Sequence, residues 1–291
     1  MLFIFIPGTF IARGQVSKYP FRFSLYHNSA SFVNPAAAGC NSDRELNLGS
    51  QQMFGAISHV SAHYFTFNIR IRQYKTDEPY SSIGIVLYND REGKYLNRSR
   101  FYGSYTWHAS VSRTLQFSAG FYVGGMNYSV KGTPLSGDGS DTKADGAVGV
   151  SLFSETFYVD MAFGQIFNSK VQPLEEITVL TPLINFSAYR VFSFHDEFRL
   201  VPSVSTRIPF NDGTDRNNKI LTDVNLLFDM DQKLLFSAGI HNNTMMALAA
   251  GLSHLKISTG ELGIMISYAF PALKRASIKT NFGEIGLNYY F

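Results

Sequence analysis

Phe282-Gly283-Glu284-Ile285-Gly286-Leu287-Asn288-Tyr289-Tyr290-Phe291 ends the sequence, and its reading decides the fold. Successive side chains of a strand point to opposite sides, so Ile285, Leu287, Tyr289 and Phe291 share one face. Glu284, Gly286, Asn288 and Tyr290 share the other. Such a segment suits a boundary between two media. Left as an exposed edge, a terminal aromatic strand invites pairing with other chains. Closing a barrel onto the first strand, inside a membrane, removes that edge. An ordinary sheet strand would read the same way, so the rest of the chain has to decide.

Composition narrows the choice. Hydrophobic residues make up 45% of the chain and charged ones 16%, against about 25% charged in typical soluble domains. Aromatic residues are abundant, with 26 Phe and 16 Tyr. Yet no run approaches the roughly 18 to 20 apolar residues of a membrane helix. Low charge without a helical span favours a β-rich membrane protein. The formal charge of +3 and the lack of a basic stripe interleaved with aromatics give no footprint for nucleic acid.

From Arg44 onward, strand-like segments repeat. Tyr102, Ser104, Thr106, His108 and Ser110 alternate with the apolar, aromatic Phe101, Tyr105, Trp107 and Val111. Arg199, Ser203, Ser205 and Arg207 lie opposite Leu200, Val204 and Ile208. Asp223, Asn225 and Asp229 lie opposite Ile220, Val224 and Phe228. About fourteen such segments, bounded by turn residues, predict an all-β chain folded as a transmembrane antiparallel barrel. The connections support this. Those after even-numbered strands are mostly tight, at 112–113, 195–197 and 231–233. The long ones, at 131–143, 169–177, 211–217 and 271–281, follow odd-numbered strands. Outer-membrane barrels have that asymmetry, with short periplasmic turns and long outer loops; 72–80 and 242–244 break the pattern.

Three regions result. Residues 1–14 are apolar and end in small residues around Arg13, which fits an export signal, although the usual basic start is missing and a buried N-terminal strand reads similarly. Residues 15–43 form an irregular leader, because Pro20 and Pro35 restrict their predecessors and Asn34-Pro35 favours a turn. The simplest reading tucks this leader along the barrel of residues 44–291. In that barrel Ile285, Leu287, Tyr289 and Phe291 would be the lipid face of the closing strand, with Phe291 an assembly signal.

Catalytic and metal motifs are not found. There is no nucleophile elbow, phosphate-cradling glycine loop or His-Glu-x-x-His. His59 and His63 would share a strand face, too far apart to chelate one ion easily. The acidic stretch Gly137 to Asp145 does not match the EF-hand spacing, and the lone Cys40 excludes an internal disulfide. No catalytic residue, cofactor site or metal ligand is therefore assigned. Lys274-Arg275-Ala276-Ser277-Ile278-Lys279 would sit in the last outer loop, placed to meet lipopolysaccharide or a partner.

In this order, several stretches resemble the PorP/SprF membrane proteins of the type IX secretion and gliding apparatus. Pro20, Phe23, Ser24 and Tyr26 are similar to the family's opening element, shifted by one residue. Asn34-Pro35-Ala36-Ala37-Ala38-Gly39 matches its Asn-Pro-Ala-x-x-Gly. Tyr88-Asn89-Asp90-Arg91-Glu92-Gly93, read as a loop motif, resembles its Tyr-Asn-Asp-Arg-x-Gly, and residues 283–291 resemble its end apart from a missing His. The family's aromatic stretch after the first strand is replaced by Gln51-Gln52-Met53-Phe54. The resemblance implies a non-enzymatic accessory in the cell outer membrane. It further implies a role in export or surface attachment of adhesins, with other secretion or gliding components, periplasmic anchors, lipid and lipopolysaccharide as partners. A diffusion or hydrophobic-ligand channel is the alternative, and a lumen filled by the leader would argue against it.

Overall fold

The computed structural model describes residues 22–26, 30–55, 59–71, 79–132, 137–174, 177–194, 197–210, 220–242, 244–272 and 280–291. The first half contains β1 (Arg44–Gly55), β2 (Ser61–Ile71), β3 (Tyr80–Glu92), β4 (Leu96–Ser110), β5 (Gln116–Val130), β6 (Gly139–Phe153) and β7 (Phe157–Gly164). A minor hairpin, β8 (Lys170–Val171) and β9 (Thr178–Val179), precedes β10 (Leu183–Arg190) and the short β11 (Phe192–Phe194). The chain continues with β12 (Phe198–Pro209), β13 (Leu221–Met230), β14 (Leu234–His241), β15 (Met245–Ile257), β16 (Gly260–Pro271) and β17 (Thr280–Tyr290).

These strands make a closed antiparallel barrel of 14 strands. The last strand pairs with the first, from Glu45↔Tyr290 to Gly55↔Thr280. The ring closes on the far side because β10 pairs with both β7 and β12. No barrel edge is left to template aggregation. β11 only extends the β12 hairpin, and β8 and β9 form a separate two-stranded sheet. The predicted segments map one to one onto the barrel strands with shifted bounds: β6 starts at Gly139, inside the stretch 131–143 read as a loop, β7 ends at Gly164, and two further differences have a local cause. Segment 178–194 is broken, because Pro182 has no N–H for the ladder and β10 starts just after it. The predicted gap between the third and fourth strands shrinks to 93–95, because Gly93 takes the left-handed conformation (φ 70°) that a tight turn needs.

The alternation separates two media. Phe101, Tyr105 and Trp107 project outward and are exposed, whereas Tyr102, Thr106 and His108 point inward and are buried. On the closing strand Ile285 is exposed, and Glu284 and Asn288 are buried. An apolar exterior around a polar interior is the arrangement of an outer-membrane barrel. The short connections 111–115, 154–156, 231–233 and 258–259 share one rim with Arg44 and Phe291, which is the periplasmic rim. At that rim the Phe291 amide donates to the Arg44 carbonyl (3.0 Å), and the Phe291 ring stacks on Tyr289.

Candidate functional site: a lumen filled from both ends

The leader does not run along the outside of the barrel; it enters the lumen. A one-turn helix, Ala30–Val33, leads into a 3-10 turn at Pro35–Ala37. Asn34 caps that turn: its side-chain oxygen accepts the Ala36 amide (2.9 Å), and its amide group donates to Val150 O on β6 (3.2 Å). Pro35 stands at the first position of the turn, where a missing N–H costs nothing. Asn34 and residues Ala36 to Ala38 are almost fully buried.

Inward side chains of the barrel then take the leader's carbonyls in succession. Thr106 donates to Pro35 O (2.6 Å), and Ser118 and Ser151 donate to Ala36 O (2.7 and 3.3 Å). Ser82 donates to Ala38 O (2.8 Å), with His108 Nε2 also in contact at 2.9 Å. Arg70 and Tyr80 donate to Gly39 O (3.0 and 3.3 Å). In the other direction the Glu45 carboxylate accepts the amides of Gly39, Asn41 and Ser42. Irregular backbone at membrane depth is tolerable only when its polar groups are satisfied in this way. Two wall glycines make the room. A Cβ on Gly120 would lie 2.8 Å from Pro35 O, and one on Gly149 would collide with the Asn34 side chain.

The upstream part of the leader is tied to the opposite wall. Glu284 on β17 accepts the amides of Ser24 (2.7 Å) and Leu25 (3.0 Å), as well as the Ser24 hydroxyl (2.9 Å). Arg22 pairs with Asp223 at 2.8 Å and donates to Leu221 O and Ser205 O. Gln51 donates to Arg22 O (3.1 Å), and Tyr26 donates to the Ser203 hydroxyl (2.5 Å). Burial pulls the Arg22 guanidinium below its ordinary value against the opposing pull of Asp223, and burial raises the Tyr26 phenol. Between the two anchors Phe23 and Phe32 pack into a buried cluster with Tyr64, Tyr88 and Tyr102. Phe32 stacks on both Tyr64 and Tyr88, with ring centroids 5.2 and 5.0 Å apart.

Beyond this cluster the lumen carries a layer of paired charges. Arg98 is held by Asp90 and Glu92, and Tyr102 donates to Asp145 (2.6 Å) beside Arg100. Past the charges, residues 165–174 and 177–182 turn in from the outer rim. Val171 and Leu180 bury themselves against the inward-facing Leu96, Met126 and Tyr128. Leader, aromatic cluster, charge layer and outer hairpin thus fill the barrel from one rim to the other.

The residues singled out by sequence divide accordingly. Phe23, Ser24, Tyr26, Asn34, Pro35, Ala36 and Gly39 come together inside the lumen; Pro20 lies outside the described residues. Gly39 takes a positive φ of 76°, with Ser82 packed where a Cβ would be. The stretch read as a loop motif is the end of β3: Tyr88 and Asp90 face inward, Asn89 and Arg91 outward, and only Gly93 belongs to the turn. Ile285, Leu287 and Tyr289 lie on β17 on the outward face, opposite the inward face that presents the anchor Glu284. Residues 1–21 and the basic run 274–279 lie outside the described residues. Of the acidic stretch, most belongs to β6, where Asp141 accepts the Gln172 amide (2.8 Å). Among the described residues, no group of three His, Cys, Asp or Glu is placed to hold a metal ion. His63 faces outward and contacts Ser50 (3.0 Å). Sequence reasoning missed the wall residues that hold the leader, chiefly Glu45, Gln51, Arg70, Thr106, Ser118, Ser151, Gly120 and Gly149. Of these only Thr106 lay in an alternation read from the sequence, on its polar face, and nothing local marked what any of them would grip.

Fold and lumen define an outer-membrane β-barrel sealed by its own N-terminal segment. Residues 16–289 match the family described as type IX secretion system membrane protein PorP/SprF, and the chain belongs to that family. No curated protein matches the sequence. Among solved structures the fold is similar to the Ralstonia pickettii toluene transporter TbuX, at 11% identity and a TM-score of 0.58, with 90% of this chain and 92% of that one covered. It is also similar to a Pseudomonas aeruginosa FadL homologue, at 10% identity and a TM-score of 0.53, covering 90% and 93%. A third is the Pseudomonas putida toluene transporter TodX, at 8% identity and a TM-score of 0.51, again covering 90% and 93%. At these identities the likeness is one of fold. The family is described as a secretion-system membrane protein, and TbuX and TodX as toluene transporters.

Proposed function

We propose that the protein is a non-conducting accessory of type IX secretion, serving export or surface attachment of secreted proteins such as adhesins. It would do so by engaging secretion or gliding components, including periplasmic anchors at the rim where the leader joins β1. The observation that carries this reading is the filled lumen. Hydrogen bonds hold Arg22, Ser24 to Tyr26 and Asn34 to Gly39 of the leader, and Val171 and Leu180 pack in the opposite mouth. A diffusion channel needs a path, and this one is occupied along its length. Family membership supplies the link to the machinery, and the filled lumen argues for a docking body rather than a conduit. The barrel's likeness to hydrocarbon transporters adds no support for a transport role, because it reports fold alone. The test is deletion of the encoding gene, with adhesin display and solute uptake measured in parallel. Lost display with unchanged uptake is expected. Normal display with reduced uptake would contradict the reading.

A further inference from the structure

The outer wall carries a second feature that the leader does not use. Two rows of outward-facing side chains run side by side across β1 to β6. The row nearer the outer rim is polar and in continuous register: Ser50↔His63, His63↔Asn89, Asn89↔Ser99, Ser99↔Asn127 and Asn127↔Thr142. Its members bond one another. Ser50 meets His63 (3.0 Å), Asn89 donates to Ser99 (2.9 Å), and Asn127 donates to Thr142 (2.8 Å). The next row toward mid-membrane is apolar: Leu48, Phe65, Leu87 and Phe101 are directly paired neighbours, and Phe101 is opposite Gly125.

A barrel exterior is convex, yet these rows line a groove of about 780 Å³ that also takes in Ile285 and Leu287. Gly125 leaves the floor open, since a Cβ there would meet only Lys143 O, at 3.8 Å. That volume is in the range of small-ligand sites, about 300 to 1,000 Å³. A protein partner would instead need roughly 800 Å² of complementary face on each side. Polarity settles the ligand's class. The apolar row accepts a hydrocarbon chain, while the polar row offers hydroxyl, amide and imidazole groups and includes no formal cation to attract a phosphate.

We propose that this groove binds one outer-leaflet lipid. Its acyl chain lies along Leu48, Phe65, Leu87 and Phe101, and its uncharged ester-, amide- or hydroxyl-bearing neck meets the polar row. The lipid would give this face of the barrel a fixed amphiphilic surface in the membrane. Native mass spectrometry of the full-length protein, extracted from its own outer membrane in mild detergent, tests this. The wild type should retain one lipid that resists detergent exchange. Gly125→Leu fills the groove from outside and should lower occupancy at least tenfold. Asn127→Ala keeps the apolar volume and should lower it several-fold. Ala250→Leu, an outward position on β15, should leave it unchanged. Heat-modifiable electrophoretic mobility checks assembly, and if Gly125→Leu fails to assemble, Asn127→Ala decides. Equal occupancy in wild type and the groove variants overturns the proposal, as does a wild type with no retained lipid. Loss of a bound polypeptide, rather than a lipid, from Gly125→Leu also overturns it.

Discussion

Glu284 is one inward side chain on the closing strand, and it receives two leader amides and one hydroxyl. Replacing it with alanine leaves the two amides without that acceptor, at about 1–3 kcal/mol for each group left unpaired, while the Ser24 hydroxyl keeps Ser267. The penalty falls on the leader, because the β17 backbone still pairs on both sides. Hydrogen exchange should therefore show the Ser24 and Leu25 amides at least about tenfold less protected in Glu284→Ala, with the barrel amides unchanged. Unchanged protection at Ser24 and Leu25 would remove Glu284 from the anchor. Cys40 reports the other end of the leader. Burial, and then the nearby Glu45 carboxylate, push its thiol well above its ordinary value. A raised thiol holds less thiolate at pH 8 than a free cysteine, whose pKa is about 8.5. Alkylation should accordingly be slower than for a free cysteine by about tenfold or more at pH 8, and should accelerate as pH rises toward the raised value. A rate equal to that of free cysteine would mean the segment is not seated.

At the scale of elements, the closing strand behaves as its alternation requires. Ile285 is exposed midway along β17, so Ile285→Arg puts a charge on the lipid face at about 2–4 kcal/mol near mid-membrane. Poor assembly, seen as loss of the heat-modifiable folded band, is expected; normal assembly would contradict the facing. β6 offers a complementary variant. Gly149→Val should leave the ladder intact while displacing Asn34 and its turn, visible as faster alkylation of Cys40 in an assembled barrel. These elements also show what a sequence discloses. The period of two in Phe101 to Ser110 and in Glu284 to Tyr290 depends only on which medium each residue faces, so strand existence and facing were legible. Pro182 and Gly93 fixed boundaries by local geometry, one by lacking a donor and the other by a left-handed turn. The leader was legible as irregular, and its Asn-Pro-Ala run as a motif. Its place inside the lumen was not, because Thr106, Ser118 and Ser151 become partners of Pro35 and Ala36 only after the barrel has closed. The same holds for the outer groove, whose polar row is spread over residues 50–142 and exists only in register.

Among the described residues, the barrel's lumen is largely occupied by protein. Described parts of the leader lie in the lumen, from Gly39 near the periplasmic rim to Arg22 at the outer end of β13, with paired charges beside them and Val171 and Leu180 packed in the outer mouth. A wall of 14 strands would otherwise enclose a wide space, and inward residues such as Thr106, Ser118, Ser151 and Glu284 are spent on the leader's backbone. Such a body can dock partners at both rims without breaching the membrane's barrier, which suits an accessory of a secretion machine. The most direct measurement of this account is ion conductance in planar bilayers, comparing the full-length protein with a variant lacking both residues 22–39 and the outer hairpin 170–179, since both occupy the lumen. The full-length barrel should stay closed, and the deletion should open measurable conductance. A full-length protein that conducts as freely as the deletion would show that leader and hairpin do not seal the lumen.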